Sequence, residues 1–151
     1  MLFRILNLII DKFKDMEPGC EPIYGKSNLS SNGPTERVVY YLEGDNYGPV
    51  KHLGANGKQA FSREAQIAFH IFSDKAEKID DYIEAMLCAA KLIMNEDGII
   101  SASGEMIDLG VEAANGFMYK LDITLDTVVK ERMRQVAVAR SEVITTQFQI
   151  T

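Results

Sequence analysis

The sequence is sparing with the residues that most often carry chemistry. There are two histidines and two cysteines in 151 residues. His52 and His70 form no HExxH motif, and no CxxC pair or zinc-suited histidine spacing accompanies them, so no metal or cofactor is expected. Each histidine reads as an ordinary surface residue. Cys20 and Cys88 do not form a disulfide framework, which points to a reducing cytoplasm. Cys88 sits in the apolar run 85–90 and is expected as a small buried thiol; Cys20 falls in a Pro/Gly-rich turn.

Positive charge is also short. The net charge is −6, whereas an autonomous nucleic-acid binder normally carries a basic patch. Tyr40 and Tyr41 follow Arg37 but are flanked by Glu36 and Glu43, so they are expected in core packing rather than under stacked bases. No apolar run is long enough to span a bilayer. The opening apolar stretch is broken by Arg4, Asn7, Asp11, Lys12 and Lys14. It precedes no small-x-small cleavage site, and Glu17-Pro18-Gly19 is unlike the approach to a lipidated cysteine. A soluble protein is expected.

The catalytic signatures are missing too. The glycines of 44–48 and 54–58 match neither GxxxxGK[ST] nor GxGxxG, and there is no GxSxG elbow. Two carboxylate pairs exist, Asp80 with Asp81 and Asp122 with Asp126. Both read as solvated faces, without the apolar surroundings that would split an acid from a base. No internal repeat or low-complexity tract appears. The expectation is therefore a protein that is not an enzyme.

What is present is ordinary globular material, 46% hydrophobic and 25% charged, enough for one core without staples. A single α/β domain over 1–132 is expected, with a helix at 2–15 and a sheet-and-helix core at 37–129. Leu2, Leu6, Ile9 and Phe13 recur at helical spacing, with Phe3 and Ile10 beside them. Ile5 and Leu8 widen that stripe, so the helix is either buried on two sides of its own core or completed by a neighbouring subunit. Residues 17–34 read as a loop, 37–42 as a strand, and 43–57 as a second, glycine-rich loop of the kind that makes contacts.

From Phe61, strict alternation marks a long strand. Ala65, Ile67, Phe69 and Ile71 face one way; Ser62, Glu64, Gln66 and His70 face a solvated side. Arg63 interrupts the apolar face. Asp74, with Glu77 after it, resembles a capping box. It opens a helix striped by Ile79, Ile83, Met86, Leu87, Ala90, Ile93 and Met94 and ended at Gly98. Ile107, Leu109, Val111 and Ala113 suggest a strand that turns at Asn115-Gly116. The strand returning from it puts Phe117, Tyr119, Leu121, Ile123 and Leu125 on one face. Residues 133–151 form an alternating tail, either a last sheet strand or an arm that adds to another chain's edge. The order implies an α+β fold, a mainly antiparallel sheet with helices packed on one side.

Three pieces in order carry a family likeness. They are Tyr41-Leu42-Glu43-Gly44-Asp45-Asn46-Tyr47 at the end of a strand, then residues 65–72 running into the acidic helix segment 79–84, then the returning strand 119–125. Together, from Val38 to Val129, the chain resembles the tail-terminator proteins of long-tailed bacteriophages, the lambda-type minor tail protein family. The resemblance implies a ring-forming fold, with a six-fold ring that caps the finished tail tube and offers a docking surface to the head connector. Its partners would be copies of itself, the tail tube protein and a head–tail connector or neck protein. DNA would pass through the lumen without specific binding. The chain would be a virion component at the head-proximal end of the tail, made in the host cytoplasm. Residues 97–105 and 130–151 fall outside the likeness, so no contact residue is carried over from the family. The chain's own pattern nominates Phe3, Ile5, Leu8, Asp45, Asn46, Tyr47, His52, Phe148 and Ile150 as interface residues. The rival readings are another head–tail joining or tail-completion protein, a small enzyme, and a small ligand-binding domain.

Overall fold

The computed structural model describes residues 2–30, 33–49, 51–53, 58–94, 98–108 and 116–129. Its elements in chain order are α1 (Leu2–Met16), β1 (Glu21–Tyr24), a 3-10 turn (Lys26–Leu29), β2 (Arg37–Tyr47), β3 (Lys51–Leu53), β4 (Lys58–Ser73), α2 (Ala76–Met94), β5 (Gly98–Asp108) and β6 (Phe117–Val129). The strands order as β1-β2-β4-β6-β5, with β3 paired to the start of β4. Among the described strands β1 and β2 alone run parallel; the other pairings are antiparallel. The fold is α+β, an open and mostly antiparallel sheet with both helices packed on one face.

Period-two patterning decides which face that is. Val38, Tyr40, Ala65, Ile67, Phe69, Ile71, Leu121, Ile123 and Leu125 are buried on the helix side. Leu2, Leu6, Ile9, Ile10 and Phe13 of α1 pack against them, as do Ile79, Met86, Ala90 and Met94 of α2. Each such aliphatic side chain contributes about 1.5–3 kcal/mol of transfer free energy. A polar staple reinforces the packing. The Glu36 carboxylate accepts from Ser73 Oγ at 2.8 Å and from Tyr82 Oη at 2.6 Å, tying the start of β2 to the end of β4 and the first turns of α2.

Several expectations need correction. The loop expected over 17–34 contains β1, held by Glu21 N–H to Glu36 C=O and Gly25 N–H to Tyr40 C=O. The expected loop 43–57 is largely strand, because β2 continues to Tyr47 through a bulge between Leu42 and Gly44, and His52 lies in β3. α2 begins at Ala76. The side chain that receives a backbone N–H at its entry is Ser73, from Lys75, rather than the expected cap Asp74. Gly98 does not end that helix but opens β5.

The hairpin between β5 and β6 exists, yet Phe117 pairs with Asp108. A two-residue turn at Asn115-Gly116 would have paired it with Ala114. Of the residues expected in the outgoing strand, Leu109, Val111 and Ala113 lie outside the described residues, as does the tail with Phe148 and Ile150. Cys88, expected to be buried, is exposed, while Cys20 is buried against the core. Burial, with Glu36 and Glu17 adding to it, pushes the Cys20 thiol up to about 12.

Candidate functional site

The nominated interface residues are separated by the fold into distinct places. On α1 the buried positions form one stripe, and Phe3 and Leu8 fall off it, 50% and 46% exposed. Ile5 is half-buried against the core. The wide stripe of this helix is therefore not covered on two sides by its own domain. Phe3 stands edge-on to Tyr24 of β1 at 6.2 Å between ring centres, and Tyr24 in turn meets Tyr40 at 5.4 Å. An aromatic patch, with Phe3 and Tyr24 both about half exposed, thus sits over one margin of the sheet.

Asp45 and Tyr47 lie elsewhere, at the far end of β2, where the bulge has turned them onto the helix side. There Arg63 donates to both Asp45 carboxylate oxygens at 3.0 and 2.7 Å, and its guanidinium lies 5.2 Å from the Tyr47 ring centre. The bidentate bond holds the Asp45 carboxyl below its usual range and raises Arg63. Both side chains keep about a fifth of their surface, so solvent screening leaves the pair worth little stability. Its effect is to fix the geometry of an exposed end. A shallow apolar dip beside it is lined by Leu2, Ile5, Ala65 and Leu125, with Arg63 and Thr127 at its border. Asn46 is exposed next to the pair.

The face of the sheet opposite the helices differs from expectation. Val39, Ala68, His70 and Phe72 are buried there. His70, expected on the surface, is 8% exposed, stacked on Tyr41, with Nε2 at 3.0 Å from Tyr41 Oη. Its Nδ1 has no hydrogen-bond partner among the described residues. Burial first, then Lys120 and Lys26, depress its pKa, with Glu43 opposing them. Lys120 bridges Glu43 at 3.2 Å and Asp122 at 3.7 Å. The Lys120 hydrogen bond holds the Glu43 carboxyl low, whereas burial raises that of Asp122. Asp122 was expected on a plainly solvated face. Instead its surroundings and those of Glu43 pull two neighbouring carboxyls in opposite directions. Asp80 and Asp81, the other pair, are exposed on α2.

The two sheet margins complete the surface. In the β1–β2 ladder the odd residues of β1 bond to β2, so the backbone groups of Pro22 and Tyr24 point outward. Pro22 has no N–H to offer. The Tyr24 carbonyl is taken by Asn28 Nδ2 at 2.8 Å, a reach made possible by Gly25 at φ 116°, where a side chain would be strained. This margin is closed to strand addition, although the sequence reading had seen only a loop here. The opposite margin, β5, is eleven residues long. Ser101 to Met106 are all exposed, with no proline or lysine among them. At Gly104 the Tyr119 ring lies against the backbone, so closely that a Cβ there would collide with it.

Among the described residues no cluster of His, Cys, Asp and Glu could hold a metal ion, and no helix is long and apolar enough to cross a membrane. No protein-family model matches the chain, and no curated protein matches it.

Proposed function

We propose that this chain is a non-catalytic virion subunit, a tail terminator of a long-tailed bacteriophage that closes as a ring on the tail tube and receives the head connector. One observation carries the reading. Two of the surfaces left open among the described residues are unlike each other and lie at opposite margins of one sheet, the Phe3–Tyr24 aromatic patch above β1 and the outer edge of β5, which has no partner strand there. Unlike patches on opposite sides associate head to tail, and such contacts form a ring when the rotation between copies closes. A hexamer is the ring number that the family likeness implies.

The distal end, with Asp45, Asn46 and Tyr47, supplies a second contact surface for the tube or the connector. On the face away from the helices the acids Glu43, Glu64, Glu105, Asp122 and Asp126 outnumber the cations Lys26, Arg37 and Lys120. A lumen lined by that face would repel passing DNA rather than retain it. Electron microscopy of tube protein polymerised with and without the chain tests the reading. Expected are shortened tubes bearing a ring at one end; unchanged lengths and bare ends refute it.

A second reading is favoured by the split carboxyls, since such a pair beside His70 and Tyr41 is the arrangement an acid–base or small-ligand site would use. Ligand-induced protection of Tyr41 and His70 in hydrogen-exchange or NMR shift mapping would support it. Replacing Asp122 by Asn without change in tube capping would separate it from assembly.

A further inference from the structure

We propose that the open edge of β5 is filled by the C-terminal segment of a neighbouring copy of this chain, residues 143–150 added as a further strand. The proposal deepens the ring reading and names what joins one subunit to the next. Unpaired strand edges template the addition of another strand, and proteins protect them with proline, lysine, bulges or covering groups. The β1 edge has such protection in Pro22 and the Asn28–Tyr24 bond. The β5 edge has none over Ser101 to Met106, and Glu105 is its only charge there. Among the described residues the longer of the two outer edges, β5, has no partner strand.

The tail has the pattern to fill the gap. Ile144, Thr146, Phe148 and Ile150 alternate with Thr145, Gln147 and Gln149. On β5 the helix-side positions are Ile100, Ala102, Gly104 and Met106, and the open-face positions are Ser101, Ser103 and Glu105, as their partners on β6 show. An added strand would set Phe148 and Ile150 beside Ala102, Gly104 and the exposed Met106, extending the core face. The glutamines would lie beside the serines. Peptide strand addition of this kind draws affinity from main-chain bonds and specificity from alternate side chains.

Topology disfavours a direct return of the tail to the chain's own edge. β6 runs opposite to β5, so the chain leaves β6 at the end where β5 begins. Turning directly round its own β5, the tail would lie parallel to it, and it would cross the connection that enters β5 from α2 at that same end. Parallel pairing is slightly weaker per residue, and crossing connections at one end of a sheet are avoided. Residues 130–143 can span roughly 45 Å when extended.

The test uses full-length chains carrying Cys88→Ser, which removes the exposed thiol. Ser103→Cys is introduced in one chain, and Thr145→Cys, Gln147→Cys or Gln149→Cys in a second chain distinguished by a size tag. Mixed at high protein concentration under mild oxidation, at least one pairing should give a disulfide between the two chains. Paired proline substitutions in the tail, at Thr146 and Phe148 or at Thr145 and Gln147, should remove it, since one pair strips the donors that face the edge. Absence of any crosslink overturns the proposal. So does a crosslink formed only within a chain carrying both cysteines, which would place the tail on its own edge. Tube protein is not needed for this experiment. A tail that crosslinks between chains while tubes stay uncapped would sink the terminator assignment alone, and capping without crosslinks would sink this inference alone.

Discussion

Phe3 and Ile9 lie six residues apart on α1 and look equally apolar in the sequence, but the structure assigns them opposite consequences. Ile9 is 1% exposed in the core and Phe3 is 50% exposed. Ile9→Asp removes a buried side chain and puts a carboxylate in its place, with no cation among the core residues around it. Losses of this kind exceed about 4–5 kcal/mol. That is a large share of the roughly 5–15 kcal/mol that holds a domain together, and nearly all of it at the low end. For Phe3, half of a ring covering about 200 Å² is already in water. The remaining ~100 Å² at ~25 cal/mol/Å² gives about 2.5 kcal/mol. An aspartate in the first turn, where α1 has no acidic residue, returns about 0.3–1 kcal/mol through the helix dipole. Phe3→Asp should thus cost about 2 kcal/mol and leave a folded chain. Urea unfolding followed by circular dichroism measures both values, and tube capping by electron microscopy measures function. The expected pattern is an unfolded Ile9→Asp, and a folded Phe3→Asp that no longer forms rings. A folded Phe3→Asp that caps tubes as the parent does would refute the assignment of this patch to assembly.

Tyr82→Phe removes the 2.6 Å bond to Glu36 while keeping the ring. A hydrogen bond to a carboxylate is worth about 1.5–3 kcal/mol, so the urea midpoint should fall accordingly, and a change below about 0.5 kcal/mol would deny the staple its role. Native protein treated with a thiol alkylating reagent should be modified at exposed Cys88 and spared at Cys20, whose thiol is buried and pushed up to about 12; equal rates would show that the β1 layer opens freely. His70 has a depressed pKa in the fold, so the unfolded chain takes up the proton first and the neutral ring favours folding above the ordinary value. That contribution is lost as pH falls below about 6.5 and through the lower folded value. Stability should drop as pH falls below about 6.5, less steeply in His70→Gln; identical slopes in the two proteins would remove His70 from the account.

What the sequence made legible was what periodicity alone determines. The alternation from Ala65 to Ile71 and from Leu121 to Leu125, and the stripes of α1 and α2, identify the helix-side core and with it the fold class. Long amphipathic elements announce themselves because each has one partner face. β1 was hidden because Glu21-Pro22-Ile23-Tyr24 is too short to show a pattern, and its strand character comes from the β2 backbone beside it. Cys88 was misplaced because the run around it is apolar throughout; Ala85, Met86, Ala89 and Ala90 face the core and leave Cys88 outward. His70 was misjudged for a related reason. Its neighbours across the strands, Val39 and Lys120, and the stacked ring of Tyr41 cover it from other elements, and no local pattern records that.

The candidate site was less legible than the fold, and the bulge in β2 shows why. Had β2 kept its register past Leu42, Asp45 and Tyr47 would have shared the open face with Val39 and Tyr41. The two-for-one count between Leu42 and Gly44 instead moves every later residue to the opposite side. Asp45 and Tyr47 thereby meet Arg63, the one charge that had interrupted the apolar face of β4. Glu43, the extra residue, stays on the open side against Lys120. One inserted position therefore turns an apparently misplaced arginine into the anchor of an ordered end of the sheet, and leaves a carboxylate beside Asp122 on the other face. Both consequences follow from cross-strand register, which depends on β4 and β6 as much as on β2. A reader of 41–47 alone sees glycine, aspartate and asparagine and infers a loop, while the strand is held in place by β4 partners sixteen or more residues away.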